Sequence, residues 1–135
     1  MLKSLYWRVN FWLKNKKSSR LQNSLGKDVK AIIVETKNGT FAVEPADLEV
    51  GAKLRTEGEY GIGEIELISQ FIDKDSSVLI VGAHLGSIAI PVADICSKLI
   101  AIEANPNNFK LLETNVKLNN TSNITIHNIA ANDKE

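Results

Sequence analysis

Two glycines and one acidic residue carry the chemistry that this sequence suggests. An apolar run at 78–81 leads into Gly82-Ala83-His84-Leu85-Gly86, and a second apolar run at 99–102 ends on Glu103. A glycine turn between a strand and a helix lets a ligand approach the backbone, and an acid ending the next strand can bind a ribose diol. The spacing therefore predicts a nucleotide-type binding site, with the amides of the turn facing the ligand.

Alternating elements must position these residues. The apolar patterns predict strands over 77–82, 99–103 and 124–129, with helices over 86–97 and from Asn105-Pro106 to 118. This β-α-β-α-β order is typical of a parallel, Rossmann-like sheet, in which Glu103 ends beside the glycine turn. Such a unit has half the strands of a doubly wound domain, so we expect the N-terminal half of a larger, truncated domain.

The residues ahead of this unit predict a β-hairpin and a further helix. Two β-rich runs, at 31–36 and 41–44, flank Asn38-Gly39, which favours a type I′ turn. Residues 46–60 show no clear period. A helical face follows, formed by Ile62, Ile65, Ile68 and Ile72 with help from Phe71.

The expected organisation has three parts and an α/β fold class. Residues 1–28 form a basic amphipathic helix and a polar linker at 18–26, and residues 29–60 form the hairpin and a lead-in segment. Residues 61–135 are expected to form the N-terminal half of an incomplete Rossmann-like domain.

The N-terminal segment is strongly basic although the whole chain is neutral. Residues 1–27 contain no acid and seven basic residues: Lys3, Arg8, Lys14, Lys16, Lys17, Arg20 and Lys27. Apolar residues at helical spacing leave two interpretations: the helix packs on its own domain, or residues 1–20 contact an anionic membrane surface weakly. No aromatic-rich basic strand pattern is present, so we expect no nucleic-acid partner.

Composition bounds the remaining classes. An apolar share of 44%, a charged share of 24% and no long apolar run or signal peptide predict a cytoplasmic globular protein. The single cysteine, Cys96, is expected to be a buried small hydrophobe. His84 and His127 lack metal-ligand spacing, so no metal site is predicted.

The glycine turn also discriminates between cofactors. In a dinucleotide site the second glycine admits the pyrophosphate, and here His84 stands at that position. The smaller methionine end of S-adenosylmethionine needs no such gap, so the pattern favours this methyl donor. An NAD- or nucleotide-sugar-binding enzyme and a non-enzymatic, decayed module remain alternatives.

At several motifs the sequence resembles the FkbM-type methyltransferases, a class I group dependent on S-adenosylmethionine. The likeness covers about residues 30–135 and includes the glycine turn, the helix at 108–120 and the lead-in Gly58-Glu59-Tyr60. It also includes Glu103-Ala104-Asn105-Pro106 and Ile129-Ala130-Ala131-Asn132-Asp133. The sequence departs from the group at Ile80, where an aspartate is usual, and at His84, where an asparagine is usual.

The resemblance implies O-methyl transfer to a sugar or other small acceptor by the parent protein, with this chain alone inactive. Cofactor-binding roles are implied for eight residues: Gly82, Ala83, His84 and Gly86 under the methionine end, Glu103 at the ribose, and Ala104, Asn105 and Ala130 near the adenine. Tyr60 and Glu64 would close the site from the leading helix. No catalytic residue is assigned.

Overall fold

The computed structural model describes residues 2–131, with side chains from residue 6 onward. The elements in chain order are α1 (Leu2–Leu25), β1 (Ile32–Thr36), β2 (Gly39–Val43), α2 (Val50–Glu57), α3 (Ile62–Ser69), β3 (Ser77–Val81), α4 (Ala89–Ala93), β4 (Lys98–Ile102), α5 (Pro106–Leu118) and β5 (Ile124–His127). The predicted α/β class, with a helix and a β-hairpin ahead of a Rossmann-like half, is confirmed. Among the helices described, none combines the length and apolarity that a membrane crossing requires.

The strands β3, β4 and β5 form a parallel sheet in that order. Val78 lies opposite Leu99, and Leu99 lies opposite Ile124. Parallel neighbours need a crossover connection, which α4 and α5 supply. The carboxyl ends of the three strands therefore share one edge, where the loop after β3 meets Glu103 at the end of β4.

One face of this sheet carries the core. Leu99 and Ala101 of β4 pack with Val92 of α4 and Leu112 of α5, and all four side chains are buried. Cys96 lies in the same cluster, as predicted for a small hydrophobe. On the opposite face β3 is open, because its outward-pointing apolar side chains are more than half exposed.

Two asparagines, Asn115 of α5 and Asn119 directly after it, complete the open edge of β2. The Asn115 side chain accepts a hydrogen bond from the Ala42 amide (2.7 Å) and donates one to the Ala42 carbonyl (3.2 Å). One turn later Asn119 makes the same pair with Thr40, at 2.9 and 2.7 Å. The repeat fits because four helical residues rise about 6 Å and two strand residues about 6.8 Å. These bonds attach the hairpin to the Rossmann-like half.

The hairpin is confirmed, but its turn is not the predicted one. Thr36 pairs with Gly39, so Lys37 and Asn38 are the turn residues. Gly39 has a positive φ of 125° whereas Asn38 does not, which excludes a type I′ turn at Asn38-Gly39. The reason is tertiary: the Asn38 side chain is buried and donates to the carbonyls of Tyr60 (2.6 Å) and Ser87 (2.8 Å).

Helix α1 is longer than predicted. It continues through the segment expected to be a linker and stops at Gly26 (φ 97°), whose amide donates to the Gln22 carbonyl at 2.9 Å. Ser18, expected in that linker, is buried and donates to the Asp47 carbonyl (3.0 Å). Over the full length of α1, apolar and basic side chains do not segregate to opposite sides. The amphipathic character predicted for its N-terminal residues stays a prediction.

Helix α2 lies where no regular element was predicted. Two residues mark its ends: Asp47 accepts from the amides of Glu49 (2.7 Å) and Gly51 (3.2 Å), and Gly58 ends the helix in the left-handed conformation. Gly51 also packs closely on Asp47, since a Cβ atom at position 51 would lie 3.1 Å from the Asp47 Cβ atom.

Two further predictions need correction around the sheet. Helix α4 is shorter than the expected 86–97. The Asn123 side chain donates to the carbonyls of Ala93 (2.8 Å) and Cys96 (3.0 Å), and these bonds replace further helical ones at its end. Ile65 and Ile68 of α3, and Ile72 just after it, pack on the core as predicted. Ile62 is not part of the core clusters, and Phe71 is 80% exposed and takes no part in that face.

Candidate functional site

The loop after β3 bends sharply before α4 begins. Three of its residues have positive φ: Gly82 at 80°, His84 at 53° and Gly86 at 93°. Only glycine adopts this conformation without steric cost, so Gly82 and Gly86 allow the backbone to turn sharply here. The bend brings His84 over the end of β4.

Glu103 joins the two features that the sequence singled out. Its side chain is 7% exposed, and Oε2 accepts a hydrogen bond from the His84 amide at 2.8 Å. Oε1 accepts from the Asn105 amide, also at 2.8 Å. Each carboxylate oxygen has a second lone pair, so the group is held in place and can still accept hydrogen bonds from a ligand. Glycine loop and acid therefore form one site.

The prediction that the amides of the turn face a ligand is wrong for four of them. Gly82 and Ala83 both donate to the Ile102 carbonyl, at 2.8 and 2.9 Å, and Gly86 donates to the Ala83 carbonyl at 2.9 Å. The His84 amide is taken by Glu103. The loop prolongs the pairing of β3 with β4, and this satisfies its donors. What it offers a ligand is space, since a Cβ at Gly82 would meet no atom within 4 Å.

Two cavities adjoin at Gly82. The smaller, of about 250 Å³, is lined by Val81, Gly82, Ile102, Glu103, Ala104, Ile129, Ala130 and Ala131. The larger, of about 550 Å³, extends from the same loop to α2 and α3, and its polar side chains are Tyr60, Glu64, His84 and Ser87. Val81 and Gly82 line both cavities.

The two cavities differ in chemistry. The smaller has apolar walls and a single carboxylate, Glu103, which suits a flat ring attached to a diol. The larger contains an acid, a phenol and an imidazole. The Nδ1 atom of His84 is buried and has no hydrogen-bond partner among the described side chains and backbone, which is uncommon for a buried polar atom.

Six of the eight predicted cofactor residues line a cavity: Gly82, Ala83, His84, Glu103, Ala104 and Ala130. Gly86 and Asn105 line neither. Gly86 faces the core, where a Cβ would come within 2.8 Å of Leu112, and the Asn105 side chain accepts from the Asn107 amide (2.9 Å) at the start of α5. Gly86 and Asn105 therefore have structural roles, and their contact with a cofactor stays a prediction.

Several wall residues of the smaller cavity were not predicted from the sequence. Val81 and Ile102 end their strands, and Ile129 follows β5, so all three lie at the same sheet edge as Glu103. Their position at a strand end was the available signal. Asn132 and Asp133, part of the motif after the third strand, lie outside the described residues. Within residues 2–131 no cluster of three or more histidine, cysteine or acidic residues could hold a metal ion.

The sequence model of the TRM5/TYW2 methyltransferase domain matches residues 58–135, which is more than half of the chain. The chain belongs to the TRM5/TYW2 methyltransferase family. A comparison with curated proteins finds no match.

Several solved structures share the fold of this chain. TYW2 from M. jannaschii, in complex with AdoMet, has a TM-score of 0.59 and 23% identity over 76% of this chain and 43% of its own. The M. jannaschii tRNA m1G37 methyltransferase has a TM-score of 0.57 and 24% identity, over 78% and 31%. A complex of aTrm5 with tRNALeu has a TM-score of 0.56 and 25% identity, over 75% and 28%.

The first of the similar structures are much longer than this chain, which spans only 37%, 29% and 31% of their lengths. The class I, Rossmann-like methyltransferase assignment and S-adenosylmethionine as the family's cofactor are confirmed. Two expectations are corrected. The matched family is TRM5/TYW2 and not the FkbM type. A sugar or small-molecule acceptor with no nucleic-acid partner is wrong, because the similar proteins include a tRNA methyltransferase and a complex with tRNA.

Proposed function

We propose that this TRM5/TYW2 domain binds S-adenosylmethionine across Gly82, for transfer of its methyl group to tRNA. The observation that carries the proposal is the pair of cavities that adjoin at Gly82, with Glu103 in one and His84 in the other. The residues fit the cofactor: the gap at Gly82 is open, the Glu103 carboxylate is oriented by two amides, and His84 Nδ1 has no partner.

The residues of the smaller cavity would hold the adenosine. Glu103 accepts hydrogen bonds from the two ribose hydroxyls, which are charge-assisted and hence stronger than neutral ones. Ile102, Ile129 and Ala130 provide apolar walls for the purine ring. Because Glu103 is almost fully buried, water competes weakly for these bonds.

The residues of the larger cavity would hold the charged amino-acid end. Glu64 supplies a carboxylate for the ammonium group, and His84 supplies a nitrogen for the carboxylate. When bound, the cofactor supplies an electrophilic methyl group on a sulfonium centre. The contribution of these residues is to orient that group toward the acceptor and to exclude water around it.

The proposed acceptor is tRNA. Its support is the family match together with the solved proteins of similar fold, which act on tRNA or are bound to it. The cavities of this chain are compatible with a smaller acceptor as well. The choice of tRNA therefore rests on the comparisons and not on the geometry of the site.

Titration calorimetry with S-adenosylhomocysteine and with NAD tests the cofactor. We expect saturable binding of S-adenosylhomocysteine at a stoichiometry of one and no comparable heat with NAD, because His84 occupies the space that a pyrophosphate needs. Tighter binding of NAD would overturn the proposal in favour of a dinucleotide enzyme. Absence of binding by either ligand at millimolar concentration would favour a decayed, non-catalytic module.

Substitutions of the two loop glycines should separate binding from stability. Gly82→Ala places a methyl group in the gap between the cavities, and we expect about a tenfold loss of S-adenosylhomocysteine affinity, with a stability loss of about 1 kcal/mol from the positive φ. Gly86→Ala forces a Cβ against Leu112, and we expect about 2–3 kcal/mol less stability from overpacking and strain together.

Gly58→Ala is the matched control for both loop variants. Gly58 also has a positive φ and open space around its Cα, but it lines neither cavity. Urea unfolding and calorimetry measure the two quantities separately. If Gly82→Ala and Gly58→Ala bind the ligand equally well, the gap at Gly82 is not part of the cofactor site.

A further inference from the structure

The N-terminal half of α1 exposes aromatic rings to solvent. Tyr6 is 72% exposed, Trp7 67% and Trp12 57%, although large aromatic side chains usually bury most of their surface. Together with Arg8, Phe11, Lys16 and Lys17 these residues form what we call the α1 surface. It lies outside residues 58–135, the part of the chain that matches the family.

The rings of the α1 surface are already arranged for stacking. Trp7 and Phe11 lie face to face, with ring centroids 5.5 Å apart and planes within 14° of each other. The Lys16 ammonium lies 4.7 Å from the centroid of the Trp12 ring. Exposed rings and cations thus lie side by side on this helix, and this combination binds single-stranded nucleic acid through base stacking and phosphate contacts.

The charge of this segment is unbalanced. Residues 1–27 contain seven basic residues and no acid, while the chain as a whole is neutral. Lys14 pairs with Glu49 at 3.4 Å, but within residues 2–131 Arg8, Lys16 and Lys17 have no ion-pair partner. A cluster of exposed cations without counter-charges attracts a polyanion and releases the polyanion's condensed counterions on binding.

The body of the domain holds this helix at its other end. Ser18 is buried, donates to the Asp47 carbonyl at 3.0 Å and accepts from Arg55 at 3.4 Å. Lys14 contacts Glu49, just ahead of α2. The α1 surface is therefore attached to the same unit as the two cavities.

We propose that the α1 surface binds RNA, with Arg8, Lys16 and Lys17 on phosphates and unpaired bases stacked on Trp7 and Trp12. The choice of RNA rests on the proposed function, in which tRNA is the methyl acceptor. RNA is preferred to a membrane because exposed rings lie beside Arg8, Lys16 and Lys17, and over its full length α1 does not place apolar and charged side chains on opposite faces as helices that lie on lipid do.

Tryptophan emission gives a local test, since both tryptophans of the chain lie on α1. An unmodified tRNA transcript should quench the emission in a saturable manner that weakens as salt is raised. In contrast, insertion into phosphatidylserine vesicles would shift the emission to the blue. A blue shift with vesicles and no quenching by tRNA would overturn the proposal in favour of a lipid surface.

Variants assign the binding to these residues, with fluorescence anisotropy of labelled tRNA as the measurement. Replacing Arg8, Lys16 and Lys17 by glutamine should lower affinity about thirtyfold and reduce the salt slope by about 2–3. The matched control replaces three other exposed lysines, Lys98, Lys110 and Lys117, by glutamine for the same change of charge. It should change affinity less than threefold, and equal losses in both triple variants would overturn the proposal.

The aromatic half of the proposal has its own variant. Trp7→Ala with Trp12→Ala should lower tRNA affinity at least about thirtyfold, since the double variant removes both rings on which bases are proposed to stack. Phe71→Ala is the control, because this ring is equally exposed but lies elsewhere on the domain. Unchanged tRNA affinity in the double variant would exclude stacking on α1.

Cofactor binding separates this inference from the proposed function. All α1 variants should bind S-adenosylhomocysteine as the unaltered chain does, because none of the substituted residues lines either cavity. If the chain binds this ligand while tRNA affinity is insensitive to α1, the α1 surface is wrong and the methyltransferase proposal stands. If α1-dependent tRNA binding occurs without cofactor binding, the α1 surface is correct and the methyltransferase proposal is wrong.

Discussion

Glu103→Gln is expected to lower the affinity for S-adenosylhomocysteine about a hundredfold. A hydrogen bond to a charged group contributes about 1.5–3 kcal/mol, and the carboxylate is proposed to accept two from the ribose. Glutamine retains only one acceptor oxygen. Its amide group must also face either the His84 or the Asn105 amide, both of which now donate to Glu103 at 2.8 Å.

The two consequences of this substitution can be measured separately. Calorimetry gives the affinity, and urea unfolding gives the stability, which we expect to fall by about 1–2 kcal/mol because one backbone amide loses its acceptor. Glu66→Gln is the control, since it removes an exposed carboxylate on α3 that lines neither cavity. An affinity within threefold of the unaltered chain would exclude Glu103 from the ribose site.

Asn115→Ala is expected to destabilise the domain by about 3–4 kcal/mol. The Asn115 side chain is fully buried and makes three hydrogen bonds, with the amide and carbonyl of Ala42 and with the carbonyl of Leu85 at 2.8 Å. Alanine leaves these groups buried without partners, and each costs about 1–3 kcal/mol unless water enters. The loss is large against the 5–15 kcal/mol that holds a typical domain together.

Asn107→Ala on the same helix is the matched control. Its side chain is exposed and makes no hydrogen bond within the described part of the chain, so a change of less than 0.5 kcal/mol is expected. Because Asn115 joins β2 to the loop after β3, its loss should also weaken cofactor binding. A stability loss below 1 kcal/mol would show that α5 does not complete the edge of β2 in solution.

The family prediction was correct for the superfamily and wrong within it, and the reason is chemical. Binding this cofactor at the carboxyl edge of a parallel sheet requires a glycine turn, an acid such as Glu103 and a helix start such as Asn105-Pro106. Families that share the cofactor share these needs whatever they methylate. The residues quoted for the resemblance therefore carried little information about the acceptor, and the TRM5/TYW2 match came from residues 58–135 taken together.

Local signals in the sequence determined much of the fold. Short apolar runs specified β3 and β4, and an alternating pattern specified β5. Asn105-Pro106 specified the start of α5, and Glu103 was correctly placed at the end of a strand beside the glycine loop. These features depend on burial period and on capping by near neighbours, so a short window of sequence contains their cause.

Only the tertiary structure decided how the loop uses its hydrogen bonds and where the space lies. The amides of Gly82 and Ala83 are taken by Ile102, twenty and nineteen residues further on, and the turn of the hairpin is set by bonds from Asn38 to Tyr60 and Ser87. Gly82 borders open space and Gly86 meets Leu112, although both are glycines in one motif. A glycine's role depends on what packs against it, and residues distant in the chain determine that.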